Sequence, residues 1–189
     1  MGKQRKKANY LSNWRRQLSK KTKIKCRKIQ EKAKICKKTS RGVSSRLLIK
    51  FLSGTKNFIG IFAQDELSKL TVSSYPSFFI VNLDNKKQPG SHWIAIGIFS
   101  RKLEIFDPLG FDIFSWPKIP CDLLKFLLKF STGRKVSVCK TIQSYKSTLC
   151  GFFCIFYILA RNYLSFRKIQ TKFMNELSKN DSILIKLFQ

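Results

Sequence analysis

Four side chains of this sequence carry chemistry that a helix start and a β-hairpin could bring together: His92, Asp107, Gln143 and Cys150. Cys150 opens a strongly apolar run that continues to Ala160, which predicts a buried helix with the cysteine in its first turn. The positive end of a helix dipole stabilises a thiolate, which is the reactive form of cysteine. The only imidazole in the chain, that of His92, would complete an activated nucleophile if the fold brings it near.

The other two side chains match what such a nucleophile needs. The turn at residues 100–102 joins two strands as a tight hairpin, so Asp107 should return to the same end of the sheet as His92. A carboxylate beside an imidazole fixes its tautomer and favours its charged form. We therefore predict His92, Asp107 and Cys150 as the catalytic residues of a thiol protease. The side-chain amide of Gln143 and the backbone N–H of Cys150 would form the oxyanion hole.

Each of these residues has an ordinary structural interpretation when it is taken alone. Cys150 beside two phenylalanines is typical of a small core residue, and a single histidine is more often structural. Asp107, which precedes a proline, can cap a turn, and Gln143 can be a polar residue before a loop. The joint pattern favours an active site, because it supplies a nucleophile, a base, an orienting acid and an oxyanion donor at once.

The charge of the chain is strongly and unevenly positive. Lys and Arg number 38 against 10 acids, giving a net charge of +28, and residues 1–46 hold 18 of these basic residues with a single acid. Such an excess predicts a polyanionic partner of the nucleic-acid class, and we expect double-stranded DNA as this partner. We interpret residues 1–46 as a disordered basic arm and residues 47–189 as the folded domain. The candidate nucleic-acid-binding residues of the arm are Lys20, Lys21, Lys23, Lys25, Arg27, Lys28, Lys37 and Lys38.

The six cysteines of the chain do not indicate a metal site or a secreted disulfide framework. None of them forms a C-x-x-C pair, and one histidine is too few for the usual zinc spacings. The basic N-terminus is not followed by a secretory apolar region, so we expect reduced thiols and an intracellular protein. The apolar run at residues 149–160 is too short to span a bilayer, and we expect no membrane partner.

Periodicity and turn residues divide the domain into short elements. Residues 77–83 and 92–99 are rich in β-branched and aromatic residues, as strands are, and residues 135–142 alternate in the same manner. Apolar spacing predicts helices at residues 122–130, 150–163, 167–177 and 183–188.

Three motifs carry a resemblance to the adenovirus protease (adenain) family. They are GSHW at residues 90–93, FDPLGF at residues 106–111, and glutamine 143 followed after six residues by CGFFC at residues 150–154. The family's corresponding motifs are G-x-H-W, F-E-P-F-G-F and Q-x6-C-G-L-F-C. The resemblance covers roughly residues 50–165. One departure is Asp107, where adenoviral members have glutamate; the related SUMO-specific proteases use aspartate in this role.

The resemblance implies an α+β fold with a mixed central sheet packed on a buried helix that carries the nucleophile. It also implies a maturation endopeptidase that cleaves viral precursor proteins in the virion and host nucleus and needs no cofactor. Adenoviral members are stimulated by DNA and by a short basic peptide joined through a disulfide. Cys139 is our candidate for such a bond, and Cys26 or Cys36 of the arm could supply the partner thiol. The basic arm suggests a divergent relative, from another DNA virus or a Polinton-like element.

Two other functions fit the same residues. A ubiquitin or SUMO-type isopeptidase would use the same fold and catalytic residues, since these do not fix the substrate. The other alternative is a catalytically inactive, basic virion protein, whose function would be to bind DNA through its positive charge. The intact set of His92, Asp107, Gln143 and Cys150 argues against the inactive protein, because drift should have changed at least one of them.

Overall fold

The computed structural model describes residues 42–114, 116 and 118–188. Ser40–Leu184 forms one compact unit, and residues 185–188 belong to a second unit. Residues 1–41 of the predicted basic arm lie outside the described residues, with Cys26, Cys36 and every lysine and arginine selected in it. All four candidate site residues lie within the compact unit.

The centre of the compact unit is one sheet of five strands. The strands are β1 (Phe58–Ala63), β2 (Ser77–Asn82), β3 (Trp93–Ile98), β4 (Lys102–Phe106) and β5 (Lys135–Val138), and they lie in this order across the sheet. β2, β3 and β4 are antiparallel neighbours, whereas β1 runs parallel to β2 and β5 runs parallel to β4. The sheet is therefore mixed, and the α+β class is confirmed.

Short helices surround the sheet. They are α1 (Ser45–Leu52), a 3-10 helix (Gln64–Lys69), α2 (Cys121–Ser131), α3 (Cys150–Arg161), α4 (Phe166–Gln170) and α5 (Leu177–Phe188). α1 begins before residue 47, and the Ser44 side chain caps it by accepting a hydrogen bond from the backbone N–H of Leu47. Over the part of the chain that the structure describes, no helix has the length and apolar character needed to cross a membrane.

The two faces of the sheet are covered by different helices. Successive side chains of a strand point to opposite faces, so the side chains of Phe78 and Phe79 in β2 lie on opposite faces of the sheet. The Phe78 ring packs edge-on against Tyr157 of α3 at 6.2 Å between centroids. The Phe79 ring packs in the same way against Phe126 of α2 at 5.7 Å. β2 is buried along its whole length because both faces are covered, which explains its continuous apolar sequence.

α3 is the most deeply buried helix of the domain. Its far end is fixed to β4 by the buried carboxylate of Glu104, which accepts hydrogen bonds from the Tyr157 hydroxyl at 2.9 Å and from the Arg161 Nε at 2.7 Å. The Arg161 guanidinium also lies over the Phe99 ring at 4.5 Å from its centroid. These contacts set the position of α3 along the sheet, and with it the position of its first residue.

Three of the predicted elements are wrong in extent. β5 ends at Val138 rather than at residue 142, because after Cys139, whose N–H still donates to Ile105 of β4, the chain hydrogen bonds to the turn after β4. The Ile142 N–H, for example, donates to the Pro108 carbonyl at 2.9 Å. Residues 167–177 are not one helix, since α4 ends at Gln170, and the last helix begins at Leu177 rather than at residue 183.

We expect Glu104→Ala to lower the free energy of unfolding by about 3–5 kcal/mol, because it leaves the partly buried Arg161 guanidinium and the buried Tyr157 hydroxyl without their acceptor. Glu176→Ala is the matched control, since Glu176 pairs with Lys179 at the surface and should change stability by less than about 1 kcal/mol. Urea denaturation of both variants measures the difference. Equal effects would show that the buried carboxylate does not anchor α3.

Candidate active site

The His92 ring and the Asp107 carboxylate form a close pair at one end of the central hairpin. His92 directly precedes β3 and Asp107 directly follows β4, and the two strands pair antiparallel, with Ala95 opposite Phe106. The Nε2 atom of His92 lies 2.7 Å from the Oδ1 atom of Asp107. The two side chains are 12% and 1% exposed, respectively, so solvent screens this contact little. The hairpin geometry predicted from the sequence therefore brings the two groups together.

A tight turn holds the Asp107 carboxylate in place. The Oδ1 atom of Asp107 also accepts a hydrogen bond from the Leu109 N–H at 2.9 Å. The backbone carbonyl of Asp107 accepts one from the Gly110 N–H. Gly110 has a φ of +70°, and a Cβ atom there would lie 2.4 Å from the backbone nitrogen of Thr141. Only glycine fits this position, which explains the glycine of the FDPLGF motif.

The environment of His92 favours its protonated form. Burial alone would lower the pKa of His92, but hydrogen bonds to Asp107 and to the Cys150 sulfur, with the negative charge on both groups, raise the pKa from 6.5 to about 9. Because Nε2 is bonded to Asp107, Nδ1 is the ring nitrogen left for the sulfur. Asp107 and Cys150 are therefore both close enough to the imidazole to raise its pKa.

Cys150 is the first residue of α3 and is 7% exposed. The next residue must be small, because a Cβ atom at Gly151 would lie 3.0 Å from the Val43 Cβ and 3.3 Å from the Trp93 ring. The indole N–H of Trp93 donates to the Val43 carbonyl at 2.9 Å, which closes this packing around the helix start. The N–H groups of a helix's first turn have no acceptor within the helix. The Cys150 N–H is therefore suited to a developing oxyanion.

Gln143 lies on the loop that leads to Cys150. The N–H groups of Ile142 and Gln143 both donate to the Pro108 carbonyl, at 2.9 and 3.0 Å, so this loop is tied to the turn after Asp107. The Gln143 side chain is buried rather than exposed, and its Nε2 donates to the Ser147 carbonyl at 2.7 Å. A primary amide has two donor hydrogens, so one remains for another acceptor. The role of Gln143 in the oxyanion hole stays a prediction.

A cleft of about 1030 Å³ opens beside these residues. His92, Gln143 and Cys150 line it, whereas Asp107 lies behind His92 and is not among the lining residues. The rest of the wall mixes apolar and polar side chains, as the walls of ligand-binding clefts do. These side chains include Ile49, Ile61, Phe62, Glu66, Asn82 and Tyr145.

The other described thiols differ in accessibility. Cys139 is 3% exposed, and burial raises the pKa of its thiol far above the ordinary range. The disulfide between Cys139 and a peptide, selected from the sequence, stays a prediction. Cys121, at the start of α2, is the exposed thiol among the described residues. Those residues hold no cluster of three or more His, Cys, Asp or Glu side chains that could bind a metal ion.

Sequence reasoning did not select Asn180, which contacts the loop around Gln143. The Asn180 side chain lies on α5, and its Nδ2 donates a hydrogen bond to the Ile142 carbonyl at 2.9 Å. Asparagine near the start of a helix is common in any sequence, so only the folded structure shows what Asn180 contacts.

Comparison with known proteins places the chain in a family. The family model for the adenovirus endoprotease matches residues 58–184, a span that contains all four candidate site residues. The chain is 34% identical over 120 residues to a protease of Ovine adenovirus D serotype 7 (isolate OAV287). It is 31% identical over 124 residues to a protease of Bovine adenovirus 7. Each alignment covers 59% of this chain and 59% of the length of the relative.

The raised pKa of His92 predicts a specific dependence of stability on pH. Because the folded-state pKa of about 9 lies above the unfolded value of 6.5, the stabilisation from His92 is fully present below pH 6.5. It is lost as the pH rises through about 9. We expect the difference in unfolding free energy between the wild type and His92→Gln to shrink by about 2 kcal/mol between pH 6 and 8.5.

Urea denaturation across this pH range measures the effect. The comparison stops at pH 8.5 because burial raises the pKa of the Cys139 and Cys154 thiols, so these groups add their own pH dependence at more alkaline values. A difference that stays constant between pH 6 and 8.5 would contradict an imidazolium at His92.

Proposed function

The chain belongs to the adenovirus endoprotease family, and on this premise we propose that it is a cysteine endopeptidase that acts on viral precursor proteins. The observation that carries the proposal is the arrangement around His92. Its Nε2 lies 2.7 Å from Asp107, and the Cys150 thiol, which is close enough to raise the pKa of the ring, would take Nδ1. A base held between an orienting carboxylate and a thiol is the arrangement that nucleophilic catalysis requires.

In the proposed reaction the Cys150 thiolate attacks the carbonyl carbon of the scissile amide. A C–S bond forms, and the carbonyl electron pair moves to the oxygen, where the Cys150 N–H and the free Gln143 amide hydrogen stabilise the negative charge. The intermediate collapses, the C–N bond breaks, and the His92 imidazolium gives its proton to the leaving amine.

The resulting acyl-enzyme is hydrolysed in the second half of the reaction. Neutral His92 removes a proton from water, and the hydroxide equivalent adds to the thioester carbonyl. The C–S bond then breaks, which releases the carboxylic acid product and restores the thiolate and imidazolium. Asp107 keeps the ring oriented throughout, because its Oδ1 holds Nε2 while Nδ1 exchanges the proton.

We also propose that the enzyme works on DNA in the virion and the host nucleus. The support is the net charge of +28, of which residues 1–46 contribute more than half with 18 basic residues and one acid. Phosphate contacts from lysine and arginine supply affinity without sequence preference. A protease held on DNA would meet precursor proteins bound to the same molecule. Stimulation by DNA, and by a basic cysteine-containing peptide, belongs to this proposal.

Substitutions at the site test the enzymatic part of the proposal. We expect Cys150→Ala to abolish cleavage and labelling by a thiol-directed peptide vinyl sulfone, and His92→Ala to remove nearly all activity. Gln143→Ala should lower kcat by about 10²–10³ if it supplies one oxyanion donor. Asp107→Asn should be milder than His92→Ala, because it leaves the base in place.

Cys121→Ala is the matched control, since it removes an exposed thiol outside the cleft and should leave labelling and turnover unchanged. Labelling that persists in Cys150→Ala would refute the assignment of the nucleophile. Cleavage of ubiquitin-like conjugates in preference to virion precursor proteins would refute the proposed substrate class.

The salt dependence of DNA binding tests the role of the arm. The logarithm of the association constant should fall with the logarithm of the salt concentration by about 0.9 per phosphate contact. Glutamine in place of the arm's selected basic residues should therefore make this slope shallower by about 0.9 for every phosphate that is no longer neutralised. Those residues are Lys20, Lys21, Lys23, Lys25, Arg27, Lys28, Lys37 and Lys38.

The control replaces an equal number of exposed domain lysines by glutamine, which removes the same charge from a different region. The substituted residues are Lys50, Lys56, Lys87, Lys102, Lys118, Lys125, Lys135 and Lys140. Fluorescence anisotropy with labelled duplex DNA measures both slopes. A larger change in the control than in the arm variant would show that the domain, not the arm, holds the DNA.

A further inference from the structure

The cleft holds a nearly buried polar side chain that the proposed mechanism does not use, that of Asn82. Asn82 is the last residue of β2, it is 8% exposed, and it lines the cleft. Its amide carries one acceptor oxygen and one nitrogen with two donor hydrogens. A polar group that is withdrawn from water without a partner costs free energy, so both ends of this amide need an explanation.

The oxygen end of the Asn82 amide has a partner within the fold. Oδ1 accepts a hydrogen bond from the Asp84 N–H, two residues further along the chain, at 2.9 Å. Asparagine commonly stabilises a turn in this manner. Only the oxygen can accept from an N–H group, so the amide cannot be reversed and its nitrogen is directed away from the turn.

The nitrogen end of the same amide has no such partner. Among the residues that the structure describes, Nδ2 of Asn82 finds no acceptor for a hydrogen bond. It is also not one of the fully buried, unpartnered atoms of those residues, so it is accessible from the cleft. Gly90, the first residue of the GSHW motif, leaves the space that Nδ2 occupies, since a Cβ atom there would lie 2.5 Å from it.

Asn82 lies close to the catalytic residues. It pairs with Trp93 of β3, so the two side chains share one face of the sheet, with about 5 Å between their Cβ atoms. Trp93 directly follows His92 in the sequence. Its ring packs on the start of α3, where a Cβ atom at Gly151 would lie 3.3 Å from it. The free donor is therefore one side chain away from the helix that carries the nucleophile.

We infer that Asn82 is a substrate-binding residue, whose Nδ2 donates a hydrogen bond to a main-chain carbonyl of the bound polypeptide. This inference rests on the proposed protease function. An extended peptide presents a main-chain carbonyl about every 3.3 Å, so the acceptor is present whatever the side chains of the substrate are. It is not the scissile carbonyl, which the proposed mechanism assigns to Cys150 and Gln143. Because the Asp84 N–H already holds the amide, little conformational freedom is lost on binding.

A thioamide scan of a peptide substrate tests this hydrogen bond. The substrate is a fluorogenic peptide selected with the wild-type enzyme from a positional library. Each of its peptide bonds except the scissile one is replaced in turn by a thioamide, because sulfur is a weak acceptor. At one position we expect the thioamide to lower kcat/KM of the wild type by about 3–10-fold. The same thioamide should lower kcat/KM of Asn82→Ala by less than about 2-fold, because the donor is absent.

The unmodified peptide separates binding from chemistry. We expect Asn82→Ala to raise KM by about 3–10-fold and to change kcat by less than about 2-fold, because the contact is made equally in the ground state and the transition state. Asn162→Ala is the matched control and should leave both constants unchanged. It removes an amide that donates to the Ile158 carbonyl within α3, away from the residues that line the cleft.

Asn82→Asp separates a binding role from a purely structural one. It keeps an oxygen for the Asp84 N–H and therefore the turn, but it has no N–H donor for the substrate. Fluorescence anisotropy of the labelled peptide with Cys150→Ala protein measures affinity without cleavage. In this background we expect Asn82→Asp to bind at least as weakly as Asn82→Ala. Because it keeps the turn, Asn82→Asp remains informative if Asn82→Ala fails to fold.

The outcomes distinguish this inference from the function on which it rests. Wild-type protein that cleaves no peptide of the library would overturn the proposed function and the inference with it. An active wild type with the same thioamide profile as Asn82→Ala would overturn the inference alone. Unchanged affinity of Asn82→Asp for the peptide would do the same, because it would limit Asn82 to stabilising the turn.

Discussion

The site depends on the burial of α3. A helix that is apolar on nearly every side can lie only between other elements, and here it packs on β3, β2 and α1. One end is fixed by the buried Glu104 carboxylate, and the other by the close packing around Gly151. Because both ends are fixed, the sulfur of Cys150 has one position relative to the sheet, and the other site residues are arranged around it.

The two loops that supply Asp107 and Gln143 are held together. The Pro108 carbonyl accepts hydrogen bonds from both Ile142 and Gln143, and the Thr141 hydroxyl donates to the Leu109 carbonyl at 3.1 Å. A shift of one loop would break the hydrogen bonds that it shares with the other. Asp107 and Gln143 lie 36 positions apart in the sequence. The shared hydrogen bonds therefore hold their two loops in a fixed relative position.

The sequence predicted the parts of the candidate site that depend on local geometry. The His92 and Asp107 contact follows from a short hairpin with both residues at the strand ends, and the position of Cys150 follows from the start of an apolar helix. The length of β5 could not be predicted from the alternation of residues 135–142, because tertiary hydrogen bonds to the Pro108 turn end the strand early. The hydrogen bond from Gln143 to Ser147 and the contacts of Asn180 depend on long-range packing, for which one sequence carries no periodic signal.

The burial of the His92 and Asp107 pair has a consequence for the ionic strength at which the protein can work. At about 0.15 M salt the Debye length is about 8 Å, and mobile ions screen exposed charges far more than buried ones. Asp107 is 1% exposed, so counterions cannot approach its contact with the imidazole. Phosphate contacts made by solvated lysines are weakened under the same conditions. Under the proposal that the chain binds DNA, a high salt concentration should therefore release it from DNA, while the electrostatic contact between His92 and Asp107 persists.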